Sequence, residues 1–132
     1  MGHSTNYENT LIEVSSDCRR MTGEVPAKAG SVAAVQHQLT SEAPYGLTSD
    51  DVIWQTEVLR GRAEDTEEAR AAFFSVGRPC LRASPLVKTY GWGIHSDTNG
   101  RVALIAKEGP EYRKLLGDSS TQCLPGMRSK RR

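Results

Sequence analysis

Long apolar runs are missing from this chain of 132 residues, and none approaches the roughly 20 residues that a membrane-crossing helix needs. The opening stretch, MGHSTNYENT, lacks the basic-then-apolar pattern of a secretory signal. The expectation is a soluble, cytoplasmic protein with no membrane partner. Cysteine is scarce: Cys18, Cys80 and Cys123 are odd in number and far apart. That fits neither a secreted disulfide framework nor a CxxC metal or redox site. His3, His37 and His95 are too scattered to suggest a metal by spacing, and no GxSxG, P-loop, GxGxxG or HExxH pattern occurs. Neither a metal nor a cofactor is expected. Excess charge is absent too, since a formal charge of +1 argues against a surface built throughout for nucleic acid.

What is present is enough for a core. Hydrophobic residues make up 37% of the chain and charged ones 25%, outside the range in which chains stay disordered. The length suits one domain. Residues 1–120 are expected to form a single globular α+β domain, and residues 121–132 a basic, disordered tail. Charge is unevenly spread, because Arg128 to Arg132 holds four basic side chains while the preceding 127 residues hold 13 basic and 16 acidic ones. Such a tail is either a solvated terminus or a contact for nucleic acid or another polyanion.

Along the chain, Leu11 to Val14 has the alternation of a strand, with Ile12 and Val14 on one side and Leu11 on the other. Residues 16–30, SDCRRMTGEVPAKAG, show no period and read as a long loop, of a length that is often functional. Ser31 caps a predicted helix to about Glu42 with Val32, Val35 and Leu39 on its apolar stripe and His37 off it, facing solvent. Thr48 followed by Asp50 and Asp51 marks another helix start. Val52 to Leu59 also alternates like a strand, and the cap decides for helix. Ala63 to Val76 predicts a third helix buried through Ala69, Ala72, Phe73 and Val76. Its early carboxylates suit the helix dipole without a metal. Gly109-Pro110 opens a fourth, to about Leu116, with Tyr112, Leu115 and Leu116 inward.

The hairpin from Tyr90 to Lys107 fixes its own register. A two-residue Asn99-Gly100 turn leaves apolar groups on both faces. A three-residue Thr98-Asn99-Gly100 loop pairs Asp97 with Arg101 and Ile94 with Leu104, with Gly100 in the left-handed position. Tyr90, Trp92, Ile94, Val102, Leu104 and Ala106 then form a core face. Gly91, Gly93, His95, Asp97, Ala103 and Ile105 lie opposite. The two glycines leave a strip of backbone beside His95 that either another segment or a ligand can approach, and a covering segment is the preferred reading. The fold expected is α+β, a small, mainly antiparallel sheet packed against three or four helices.

Chemistry concentrates just before and within this hairpin. Arg82, Lys88 and Ser84 supply the fork, charge and hydroxyl that a carboxylate or phosphate needs, and Pro79 and Pro85 stiffen the segment between them. The leading expectation is a binding protein for a small anionic molecule that uses Arg82, Ser84, Lys88, Gly91, Gly93 and His95. A rival makes Cys80 a thiolate nucleophile with His95 as its base, set against the commoner buried, inert thiol. A third is a nucleic-acid-binding accessory protein using the basic tail with Tyr90 and Trp92. The segments HSTNY, GEVP, SDDV, PCLRASPL, YGWGIH and MRSKR resemble, over nearly the whole chain, a bacterial and fungal family catalogued as domain of unknown function 6157. That resemblance implies kinship and assigns no activity, cofactor or catalytic residue.

Overall fold

A computed structural model of the protein describes residues 2–129. Its centre is one five-stranded sheet of order β2-β4-β3-β1-β5, formed by β1 (Thr10–Glu13), β2 (Leu47–Thr48), β3 (Trp92–Ser96), β4 (Arg101–Ala106) and β5 (Gln122–Pro125). Five helices accompany it among the described residues: α1 (Val32–Glu42), α2 (Ser49–Leu59), α3 (Glu67–Phe73), α4 (Pro85–Lys88) and α5 (Pro110–Leu116), with a 3-10 turn over Leu81–Ala83. The class is α+β. The sheet, however, is mixed, because β5 runs parallel to β1 while every other pair is antiparallel.

The hairpin has the predicted register, with Ile94 opposite Leu104 and His95 opposite Ala103. Asp97 N–H donates to Arg101 O at 2.9 Å and Gly100 adopts φ +76°. One sheet face packs Ile12, Ile94 and Val102 against Val52, Leu81 and Val87, under α1, α2 and α4. The other packs Leu11 and Ile105 against Tyr112 and Leu115 of α5. Both faces are therefore covered, and β1, between them, has Leu11 and Ile12 almost wholly buried. Val14, expected beside Ile12, joins the Leu11 side because the strand ends at Glu13 and its alternation with it.

Local capping chose the helix boundaries. Ser31 Oγ accepts from Ala34 N–H, and Thr48 and Asp51 form a reciprocal capping box, so Val52 to Leu59 is helical. Thr66 Oγ1 accepts from Ala69 N–H, which starts α3 later than the predicted Ala63. No α3 residue is fully buried; Phe74 is, and Val76 is exposed. That helix lies against α2 through the Phe73 and Trp54 rings, 5.6 Å apart. In α1 the buried face runs through Ala33, Val35, Gln36 and Thr40, rotated from the predicted stripe. The reason is a polar partner: Gln36 Oε1 accepts from Ser84 Oγ at 2.6 Å. His37 is half-buried, its ring 5.4 Å from that of Trp92, instead of facing solvent. Leu116 is exposed at the end of α5.

The largest departure is at the C-terminus. Residues 122–125, expected in the tail, form β5, and Gly126 N–H then donates to Glu13 O at 3.0 Å and Met127 N–H to Arg82 O at 2.8 Å. Gly126 is so close to Val87 Cγ1 and Glu13 O that no Cβ fits there. Of the basic tail, Arg128 and Ser129 are described, and residues 130–132 lie outside the described residues.

Ser84 ties these layers together, since its hydroxyl also caps α4 by accepting from Leu86 N–H at 3.1 Å. Ser84→Ala is expected to cost about 2–4 kcal/mol, from a lost cap and an orphaned buried Gln36 carbonyl. A urea denaturation series measures it.

Candidate functional site

The fold distributes the residues singled out in the sequence over several places. Ser84 is buried and occupied by Gln36 and Leu86. Gly91 adopts φ +77°, and the backbone of Thr22 lies where its Cβ would be. Gly93 faces the Tyr112 ring, 2.8 Å from where a Cβ would stand, and Ile12 O at 3.1 Å. The strip beside His95 is thus covered, by the long loop at one glycine and by α5 at the other.

His95 meets Tyr45, which lies in the α1–β2 connection with φ +57°. Tyr45 Oη and His95 Nδ1 are 2.8 Å apart, with the rings edge to face. Burial lowers the His95 pKa, against the opposing pull of the Asp97, Glu111 and Asp118 carboxylates. Burial alone lowers that of His37.

Cys80 lies on the opposite side of the sheet from His95. Its Sγ is 3.4 Å from Tyr7 Oη, and Tyr7 packs with the Ile12–Ile94 core cluster, whereas His95 shares the face of Leu11. The hydrogen bond to Cys80, followed by burial, raises the Tyr7 pKa, while the Arg82 guanidinium pulls it down. Arg82 Nε donates to Pro125 O at 2.8 Å, fixing the C-terminal segment. Cys80 and Ser84 line a cleft of about 220 Å³ with Gln36, Ile53 and Glu57. The sheet separates the thiol from His95, so the two expected partners do not meet.

Lys88 has a different setting. At the C-terminal end of α4 it lines a pocket of about 320 Å³ together with Asp17, Arg19, Arg20, Thr89 and Ser129. Three cations and two hydroxyl side chains meet one carboxylate there. Arg20 is held in place: its Nη1 donates to Thr89 O at 2.9 Å, its Nε pairs with Glu24 at 3.0 Å, and its guanidinium stacks on the Tyr90 ring at 4.9 Å. The side chains of Arg19 and Lys88 neither donate a hydrogen bond nor close an ion pair among the described residues. Ser129 N–H donates to Asp17 Oδ1 at 3.3 Å, so the C-terminal segment forms one rim. The sequence pointed to Lys88 but not to Arg19 or Arg20. Their only signal was an Arg-Arg pair in a loop too long to be a mere connector.

No group of three or more His, Cys, Asp or Glu side chains is arranged to hold a metal among the described residues. No helix among them is long and apolar enough to cross a membrane.

Fold and site together define an α+β protein with a basic pocket set beside a mixed five-stranded sheet. The chain belongs to the family of unknown function DUF6157, whose model matches residues 2–132. No curated protein and no solved structure matches it.

Two predictions follow from these contacts. Gly91→Ala forces a side chain against the Thr22 carbonyl at a positive φ, and a loss of about 1–3 kcal/mol is expected in chemical denaturation. His37 and His95 both have folded pKa values below the unfolded one, so the native state binds fewer protons than the unfolded chain. Their contribution is present above the unfolded pKa of about 6.5 and is lost as pH falls through the folded values. The denaturation midpoint of the native protein is expected to drop on acidification below that point, and the drop to shrink in the double variant His37→Gln, His95→Gln.

Proposed function

We propose that the protein binds a small anionic molecule, a carboxylate or phosphate, in the pocket of Arg19, Arg20 and Lys88. The observation that carries this reading is the pair of unengaged cations, Arg19 and Lys88, converging with a pre-positioned Arg20 on one concave site. Arg20 is already oriented by Thr89, Glu24 and Tyr90, so little side-chain freedom is lost when an anion docks. The Thr89 and Ser129 hydroxyls supply donors for further oxygens, as an anion with several oxygens requires. Of the residues expected from the sequence to form such a site, Lys88 takes part directly. Arg82 contributes by holding Pro125 and Met127, and with them the segment that carries Ser129.

Inorganic phosphate and citrate, compared at constant ionic strength, are expected to raise the melting temperature of the native protein through binding to the folded state. In the double variant Arg19→Ala, Lys88→Ala the shift is expected to vanish. Each charge-assisted hydrogen bond removed is worth about 1.5–3 kcal/mol, a tenfold or larger rise in Kd. Equal shifts in variant and native protein sink the assignment.

A further inference from the structure

The cleft of about 220 Å³ that Cys80 lines shares no residue with the anion pocket. It opens between α1, α2, the end of α3 and residues 78–85. Its walls are largely apolar, with Val32, Ile53 and Leu81 among them. Arg78 is turned onto the Phe73 ring, 3.9 Å from its centroid, and donates to Phe73 O. The informative residue is Gln36. It is only 7% exposed, and its Oε1 takes the Ser84 hydroxyl proton, because Ser84 Oγ is itself the acceptor for Leu86 N–H. That fixes the orientation of the amide and leaves both protons of Nε2 without a partner among the described residues. No unpartnered side-chain nitrogen or oxygen among those residues is sealed from the surface, so Nε2 opens onto the cleft that Gln36 lines. A buried donor with no acceptor costs free energy until one arrives.

We propose that this cleft binds a small neutral molecule whose carbonyl oxygen accepts from Gln36 Nε2 and whose apolar part lies against Val32, Ile53 and Leu81. The Cys80 thiol is placed to add to that molecule when its carbonyl is conjugated with a C=C bond. Charge selects a neutral ligand, because the Glu57 side chain lines the cleft and closes no ion pair among the described residues, so an anion would meet an uncompensated carboxylate. Size selects a small one. An apolar cavity of about 150 Å³ takes up benzene, so about 220 Å³ holds one ring and a substituent. The addition needs no further reactant. Sulfur bonds to the β-carbon, the C=C electron pair moves toward the carbonyl, and the thiol proton ends on the α-carbon. While negative charge sits on the carbonyl oxygen, the Gln36 N–H groups face it. Tyr7 Oη, 3.4 Å from Sγ, keeps its proton, its pKa being raised first by the bond to Cys80 and then by burial, so it donates toward the sulfur as the sulfur becomes anionic.

The test uses the full chain, with cyclohexenone as the reactive probe, cyclohexanone as its unreactive counterpart, and adducts located by peptide mass spectrometry. Expected is an adduct at Cys80 whose rate saturates with cyclohexenone concentration, exceeds the rates at the half-buried Cys18 and Cys123, and falls when cyclohexanone is added. Ala83→Leu, which fills the cleft from the 3-10 turn, is expected to abolish the saturation. Gln36→Leu is expected to lower the rate at low probe concentration about two- to tenfold, the worth of one neutral hydrogen bond. Melting curves establish that the variants fold; if the loss of the Ser84 contact unfolds Gln36→Leu, Ala83→Leu and the cyclohexanone competition decide. A rate at Cys80 that stays linear in probe and blind to cyclohexanone overturns the site. Saturation that survives Ala83→Leu puts the probe elsewhere and overturns the assignment to this cleft. Reaction at Cys80 no faster than at Cys18 and Cys123 overturns the role given to the thiol.

Discussion

The double-sided pairing of β1 is the constraint on which the rest of the structure depends. This four-residue strand has Leu11 and Ile12 buried on opposite faces, so no water reaches its backbone, and its amides and carbonyls must find partners on both edges. One edge is met by β3, antiparallel, across some eighty residues of sequence. The other is met by β5, parallel, at the far end of the chain. A chain that left its last twelve residues free would leave that second edge open beside a buried core. The C-terminal segment is drawn into the fold for this reason, and its course past Arg82 and Asp17 follows from it.

The same constraint explains where chemistry sits. Covering both sheet faces consumed the polar and glycine positions that looked available: Ser84 became a cap and a partner for Gln36, and Gly91 and Gly93 became the places where a loop and an aromatic ring come closest. Those glycines answer to packing. The pocket proposed to bind an anion lies outside both layers, at the junction of the long loop, the end of α4 and the returning C-terminus. Three segments distant in sequence bring like charges together there, and the arrangement persists because Arg20 is neutralised locally by Glu24 while the Thr89 carbonyl takes its fork. Like charges held close in a folded protein carry an electrostatic cost, which the proposed anion would relieve.

Two polar pairs away from the pocket show how burial separates roles that proximity in sequence suggested. Cys80 and His95 are fifteen residues apart and read together as a nucleophile and its base. The strand that carries His95 turns the ring to the α5 face, whereas Cys80 precedes a 3-10 turn on the other face. Each found a tyrosine instead, Tyr7 for the thiol and Tyr45 for the imidazole.

The sequence by itself determined what short-range physics controls. Caps at Ser31 and Thr48, the three-residue turn with Gly100 in the left-handed region, the register of β3 against β4, and family membership were all legible. Each of the structural features is settled by groups a few residues apart or by strict alternation. Tertiary structure alone decided the parallel strand β5, the polar face of α1 around Gln36, the truncation of α3, and the pocket of Arg19, Arg20 and Lys88. Parallel pairing has no turn to announce it. A buried glutamine is favourable only once Ser84 stands opposite. A pocket gathered from a loop, a helix end and a terminus has no spacing in the sequence to reveal it. The stretch richest in reactive side chains was recognisable from the residues; which of them packing took up was settled by what the fold needed for its own closure.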